Sequence, residues 1–129
     1  MPADTGAAFE LLSVARDLIR TDSAATAGIW PRAAAILARQ AVESSLDDLW
    51  GLRAPGLRDT TARCQLLCLA DFLHDRRLAG RVHVTWDGLS RACHVRVYEL
   101  APTVEELQSW LECAWELANA VERERAPRS

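Results

Sequence analysis

Hydrophobic residues recur at intervals of three and four along most of this chain, and that period favours a helical fold. The pattern is clearest near the C-terminus, where Pro102-Thr103 precedes Glu106 in a capping box and begins a helix predicted to end near Glu122. Its apolar seam nearly follows a heptad: Val104, Leu107, Leu111, Ala114, Ala118 and Val121. Trp110 and Trp115 widen the seam, so this helix either packs between two neighbours or contributes to a partner interface.

Three earlier segments have the same period. The first helix is predicted over about residues 6–20, and the second over 30–50, because proline is tolerated in a first turn and Gly51 and Pro55 follow the last apolar position. A third helix begins after an N-cap at Asp59 or Thr60 and is apolar on more than one side, which predicts a central position. The apolar face of the second helix is predicted to contain Ala35, Ala38, Val42, Leu46 and Leu49.

Residues 76–101 allow two interpretations. Alternating apolar residues on both sides of Asp87-Gly88 are typical of a β-hairpin, so an α+β fold with a small hairpin at about residues 82–98 is the alternative. Leu78, Val82 and Leu89 also follow helical spacing. We predict a fourth helix from residue 76 to about residue 93, weakened near its two glycines, and then an extended segment to residue 101. The expected fold is all-α, a compact bundle of four to five helices.

Length and composition predict one domain over residues 1–129, with a frayed polar tail from about residue 123. A chain of 129 residues that is 50% hydrophobic can bury a core without metal or disulfide. No stretch approaches the roughly 18 apolar residues of a membrane span, and the N-terminus lacks the features of a signal peptide. The four cysteines lie in apolar segments, as reduced thiols do, so we expect a cytoplasmic protein without disulfides and without a membrane contact.

The charge pattern restricts the classes of function. All 15 basic residues are arginine, and the net charge of −3 argues against a broad surface for duplex nucleic acid, although it leaves room for a small basic groove. Phosphate-binding glycine loops, dinucleotide fingerprints, His-Glu-x-x-His and Gly-x-Ser-x-Gly motifs are absent. Cys64 and Cys68 could join Cys93 or His94 around zinc, but closely spaced ligand pairs are missing, so we expect no metal and no other cofactor.

The segment from residue 89 to 99 carries the candidate site. Arg91 and His94 lie three apart, hence on one helix face, and Arg96 and Tyr98 follow as candidate substrate-binding residues. When a phosphodiester is attacked by its own 2′-hydroxyl, a base must take the proton and a cation must stabilise the charge on phosphorus. Histidine and arginine suit those tasks. The alternative is structural: His94 caps a helix end and Arg91 pairs across the bundle with Glu43, Asp47 or Asp48.

From about residue 30 to 121 the chain resembles the HEPN superfamily of small all-α domains. The likeness rests on Leu37-Ala-Arg-Gln-Ala-Val-Glu43-Ser-Ser-Leu46 in a long helix, followed by a late helix with an arginine and then a histidine. The resemblance implies a homodimer in which Arg-x4-6-His elements of two chains meet in a cleft and cut RNA without metal. It also implies a toxin–antitoxin or phage-defence system with a partner protein. By this likeness Arg91 contacts the scissile phosphate and His94 is the acid/base group.

The match departs from the family at its motif. Only two residues separate Arg91 and His94, and Arg96 stands where a four-residue spacing would place the histidine. Arg77 and His83 do have the family spacing and form a runner-up pair. A second hypothesis therefore stands beside the ribonuclease: a non-catalytic helical adaptor whose interface for a second copy or a partner protein contains Trp110 and Trp115. The many tryptophans and arginines of the chain favour this second hypothesis, since both residue types are enriched at interface hot spots.

Overall fold

The computed structural model describes residues 6–20, 30–94 and 101–125, and these ranges are built from helices and turns without a strand. The five helices are α1 (Ala7–Arg20), α2 (Trp30–Arg53), α3 (Ala62–Leu73), α4 (Arg76–Cys93) and α5 (Val104–Arg125), and a 3-10 turn at Pro55–Asp59 joins α2 to α3. The prediction of an all-α bundle is confirmed. Because α4 is helical to Cys93, it excludes a hairpin over residues 82–93.

The central helix is α2, which packs against α1, α4 and α5. All five residues predicted for its apolar face are buried, and Ala34 and Ala41 on its other sides are buried as well. These small side chains let neighbouring helices approach closely. The predicted central position of α3 is wrong: α3 packs mainly on α4, and Leu67 leaves 67% of its surface exposed. The largest fully buried side chains are Trp50, Leu12, Leu46, Leu49, Leu69, Leu89, Leu107 and Leu117.

Two helix ends differ from their predicted positions. Helix α2 passes through Gly51 and ends at Arg53, because the Arg58 side chain folds back over Gly51 and its Nε donates to the Asp47 carbonyl at 3.1 Å. The N-cap of α3 is Thr61, whose Oγ1 accepts from the Cys64 N–H at 3.2 Å. Asp59 and Thr60, the predicted caps, belong to the preceding turn instead.

Trp50 joins the end of α2 to α3. Its side chain is fully buried, and its indole Nε1 donates to Gln65 Oε1 at 3.0 Å. The edge of its ring meets Phe72, with ring centroids 5.3 Å apart. A buried indole N–H needs such an acceptor, so Gln65 lets the whole tryptophan serve as core.

Helix α5 begins as predicted and ends later than predicted. Thr103 Oγ1 accepts from the Glu106 N–H at 3.1 Å, and the Thr103 N–H donates to Glu106 Oε1 at 3.0 Å, which confirms the capping box. The helix then continues past Glu122 to Arg125, where Arg125 pairs with Asp48 of α2 at 3.4 Å. An ion pair between Arg53 and Glu124 adds a second tie between these helix ends. Residues 126–129 of the predicted tail lie outside the described ranges.

Candidate functional site

Arg91 and His94 lie together at the exposed C-terminal end of α4. Leu89, Ala92 and Cys93 hold the inner face of this last turn in the core, so the outer face carries the polar residues. His94 is the first residue after the helix, and its N–H donates to the Arg91 carbonyl at 3.1 Å. Both side chains are exposed. Both residues are therefore accessible from solvent at the same helix end, and their action in one shared site stays a prediction. Arg96 and Tyr98, the other two predicted site residues, lie outside the described ranges.

The carboxylates considered as partners for Arg91 form ion pairs with other arginines. Glu43 pairs with Arg39 one turn earlier in α2, at 3.5 Å. Asp47 pairs with Arg58 at 3.2 Å, and Asp48 with Arg125 as described above. These pairs lie along α2 and its contacts with the 3-10 turn and α5. The helix-capping alternative has some support, because His94 occupies the C-cap position of α4.

The runner-up residues Arg77 and His83 lie on different sides of α4. Arg77 lines a groove between α4 and α5, whereas His83 lines a cavity of about 170 Å³ beside Arg63 of α3 and Asp87. Helical geometry explains the separation, because six residues turn a helix by about 240° at roughly 100° per residue. Within one chain these two side chains do not share a site.

The groove between α4 and α5 was not assigned from the sequence. It has a volume of about 470 Å³, and we call it the arginine groove. It lies between the first half of α4 and the first half of α5. Its defining residues are Arg76, Arg77, Gly80, Arg81, Val84 and Trp110. The sequence left room for a small basic groove, and this is where the structure has one.

The electrostatics of the arginine groove are uneven. Arg81 is hydrogen-bonded to Glu116, and this bond raises the pKa of the Arg81 guanidinium above its ordinary value. Arg76 and Arg77 are exposed, and within the described ranges neither forms an ion pair. Asp75 is their nearest acidic neighbour in sequence, and its carboxylate caps the helix by accepting from the Leu78 N–H at 3.0 Å. The unneutralised positive charge of the groove therefore comes from two arginines.

The rear of the arginine groove is formed by Thr85 and Cys113. Burial raises the pKa of the Cys113 thiol above its ordinary value of 9.0, although a hydrogen bond from Thr85 and the charge of Arg81 both lower it. A thiol held in its neutral form is a poor nucleophile and a poor metal ligand. We therefore assign Cys113 to packing between α4 and α5.

Trp110 and Trp115, predicted as interface residues, both pack on neighbouring helices of the same chain and are half-buried. Trp110 lies against Gly88 of α4, where a Cβ would be only 2.6 Å from its ring. Trp115 contacts Phe9 of α1 at a centroid distance of 6.2 Å, and the Arg16 guanidinium lies 5.6 Å from its ring centroid. Of the two alternatives predicted for α5, the packing one is present, with three neighbouring helices, α1, α2 and α4, rather than two. A role of either ring in binding a partner stays a prediction.

Two further cavities lie on the surface of the bundle. The larger, the α1–α5 groove, has a volume of about 740 Å³, and Ile19, Leu111 and Trp115 give it apolar walls. The smaller is the cavity beside His83 and Trp86; the Trp86 Nε1 atom is buried and has no hydrogen-bond partner in the described part of the chain. Arg39 of α2 lies 5.2 Å from the Trp86 ring centroid.

The cysteines of α3 are the nearest approach to a metal-ligand pair in the described ranges. Cys64 and Cys68 are half-buried and lie one turn apart on α3, and burial, together with the neighbouring Cys64, raises the pKa of Cys68. No three His, Cys, Asp or Glu residues in these ranges are grouped to hold a metal ion. None of the five helices is both long and apolar enough to cross a membrane.

Comparisons of the chain with models of protein families, with curated proteins and with solved structures found no match.

Proposed function

We propose that this chain is a HEPN-like domain that acts as a homodimer and cleaves RNA without a metal ion. The observation that carries the proposal is that Arg91 and His94 are both exposed at the C-terminal end of α4. The last turn of the helix is anchored in the core by Leu89 and Cys93, so the two polar side chains project from a fixed backbone. A guanidinium and an imidazole in that position can act on one phosphodiester.

In the proposed reaction a ribose 2′-hydroxyl attacks the adjacent phosphorus, and the bond from phosphorus to the 5′ oxygen of the next nucleotide breaks. One imidazole takes the proton of the 2′-hydroxyl, and an acid gives a proton to the leaving 5′ oxygen. The Arg91 guanidinium stabilises the negative charge that develops on the non-bridging oxygens. The products are a 2′,3′-cyclic phosphate and a 5′-hydroxyl, so the reaction consumes neither water nor an oxidant.

A dimer supplies both proton-transfer groups. Each chain contributes one His94, and a two-fold axis near the end of α4 would bring two imidazoles to opposite sides of one phosphodiester. One imidazole then acts as the base and the other as the acid. Arg96 and Tyr98 follow closely in sequence, and we assign them to binding the RNA beside the scissile phosphate.

The test is incubation of the purified protein with structured RNA in the presence of a chelator. Wild-type protein should give products ending in a cyclic phosphate, and His94→Ala and Arg91→Ala should abolish them. His83→Ala is the matched control, since it removes a histidine from the middle of α4 and should retain cleavage. Loss only in His83→Ala would move the site to the runner-up pair. Equal traces of cleavage in all variants would indicate a contaminating nuclease and overturn the proposal.

A non-catalytic helical adaptor is the second candidate function, and the α1–α5 groove is the observation that favours it. The half-buried Trp115 and the apolar walls beside it would suit a second copy or the partner protein of a toxin–antitoxin or phage-defence system. The oligomeric states of wild-type protein and Trp115→Arg, measured by sedimentation and combined with the RNA assay, decide between the ribonuclease and the adaptor. RNA that stays intact, together with dissociation of a dimer by Trp115→Arg, would favour the adaptor.

A further inference from the structure

The face of α4 that lines the arginine groove leads, beyond the groove itself, to Arg91. Arg77, Gly80, Val84, Gly88 and Arg91 are separated by three or four residues each, so they share one stripe of the helix. At 1.5 Å per residue, the stripe from Arg77 to Arg91 is about 21 Å long. Exposed arginines lie at both ends, and Trp110 covers Gly88 between them. Positive charge and an aromatic ring therefore alternate along one line on the surface.

The floor of this line is open. Gly80 has nothing within 4 Å of the position that a Cβ would occupy, and Val84 is 68% exposed beside it. Trp110 packs against Gly88 and is half-buried, so part of its ring forms a wall of the groove. Proteins that bind single strands combine these same parts, since arginines follow the backbone phosphates and aromatic rings stack on the bases.

We propose that the arginine groove binds single-stranded RNA, with phosphates on Arg76 and Arg77 and a base against Trp110, and that the strand continues along α4 to Arg91. This inference rests on the proposed function, because it names the surface that brings a phosphodiester to Arg91 and His94. At about 3.4 Å per nucleotide of a stacked strand, the stripe accommodates about six nucleotides. The strand leaves the groove over Trp110 and reaches the end of α4.

A single strand fits this surface better than a duplex or an acidic protein segment. The groove offers two unneutralised arginines rather than a broad basic face, and the chain as a whole carries a net charge of −3. That charge repels the dense phosphates of a duplex at long range. The aromatic wall between spaced charges matches a polymer that repeats a phosphate and a flat base, whereas an acidic peptide provides the charge without the stacking partner.

The experiment measures binding apart from cleavage. The probe is a fluorescent RNA of about twelve nucleotides, twice the span of the stripe, whose 2′-hydroxyls are methylated so that it cannot be cleaved. The affinity for this probe is measured as a function of salt concentration for wild-type protein and for two double variants, Arg76→Gln/Arg77→Gln and Arg32→Gln/Arg63→Gln. The last variant loses the same charge at two exposed arginines that do not line the groove.

Losing two phosphate contacts should flatten the slope of log K against log salt by about 1.4, since each contact on a single strand contributes about 0.7. Between about 0.1 M and 1 M salt, the affinity of the wild-type protein should therefore fall about 25-fold more than the affinity of Arg76→Gln/Arg77→Gln. The control pair should leave the slope unchanged. Trp110→Leu should weaken binding about fivefold or more, while Trp110→Phe keeps a stacking surface and most of the affinity.

The possible outcomes test the groove proposal and the ribonuclease proposal separately. If wild type cleaves RNA and the two double variants bind the probe equally, the groove proposal falls and the ribonuclease stands. If binding depends on Arg76 and Arg77 but no RNA is ever cleaved, the groove stands and the ribonuclease falls. Competition by poly-glutamate as strong as by RNA, with no effect of Trp110→Leu, would assign the groove to an acidic protein partner and overturn the inference.

Discussion

Replacing Gly88 with alanine should destabilise the fold, whereas the same replacement at Gly80 should stabilise it. Both glycines lie within α4, so each gains helix propensity when it becomes alanine. Their surroundings differ. A Cβ at Gly88 would lie 2.6 Å from Trp110 Cζ2 and 2.8 Å from Cε2, while a Cβ at Gly80 would meet nothing within 4 Å. The indole must therefore move only in the Gly88 variant.

The magnitude follows from two opposing terms. A glycine in a helix interior costs about 0.8–1 kcal/mol relative to alanine, so Gly80→Ala should raise the free energy of unfolding by about that amount. Gly88→Ala gains the same propensity but overpacks the contact between α4 and α5, which costs about 1–3 kcal/mol. Because the propensity cancels between the two variants, the difference in their free energies of unfolding measures the overpacking alone. We expect Gly88→Ala to be about 1–3 kcal/mol less stable than Gly80→Ala.

The assay is urea unfolding followed by far-ultraviolet circular dichroism, which reports the helices without relying on the tryptophans. Trp110→Leu in the Gly88→Ala background should recover much of the lost stability, because the smaller side chain leaves room for the new methyl group. A double-mutant cycle gives this coupling directly. The reasoning would be refuted if Gly88→Ala were as stable as Gly80→Ala, or if its cost were the same with and without the indole.

Three further predictions concern local interactions. Gln65→Ala should lower the free energy of unfolding by about 1–3 kcal/mol in urea melts, because it leaves the buried Trp50 Nε1 without an acceptor. A decrease no larger than that caused by replacing an exposed glutamine with alanine would contradict this role of Gln65. Thr103→Ala should cost about 1 kcal/mol by the same measurement, since it removes the acceptor for the Glu106 N–H; an unchanged midpoint would argue against the capping box. Stability should fall as the pH rises above 9.0, because the unfolded chain then releases the Cys113 proton while burial raises the pKa of this thiol in the folded chain. Cys113→Ala should fall less over that range, and an identical slope would show that other groups are responsible.

The helices were predictable because their burial follows from period alone. The predicted apolar face of α2 and the α5 seam from Leu107 to Val121 lie in the core, and the capping box at Thr103 and Glu106 is purely local. The position of α3 was not predictable in this way. Apolar residues on several sides suggested a central helix, yet Leu67 is exposed because α3 leans on α4 at the edge of the bundle. The hydrophobic period indicates how many sides of a helix are apolar, whereas the position of a helix in the bundle depends on contacts between residues distant in sequence.

The same distinction between local pattern and distant contacts applies to the candidate site. Arg91 and His94 could be proposed from the sequence because their three-residue spacing places both near one helix end. The arginine groove was not, since it exists only where α5 lies beside α4. Gly88 shows the limit most clearly. From the sequence it is a weak point in a helix, but in the fold it is the position that lets Trp110 approach the α4 backbone.

The distribution of ion pairs explains how an acidic chain can present a basic surface. Glu43, Asp47, Asp48, Glu116 and Glu124 each pair with an arginine, and these pairs lie on α2, on the 3-10 turn and between α5 and its neighbours. Exposed pairs of this kind contribute little to stability, but they neutralise the arginines involved. Within the described ranges the α4 stripe keeps unpaired guanidiniums at both ends. Screening at physiological salt acts over about 8 Å, so a phosphate in the groove responds to these nearby guanidiniums more than to carboxylates across the bundle. The net charge disfavours broad binding of polyanions while the stripe retains a short local attraction, which is what the proposed site for single-stranded RNA requires.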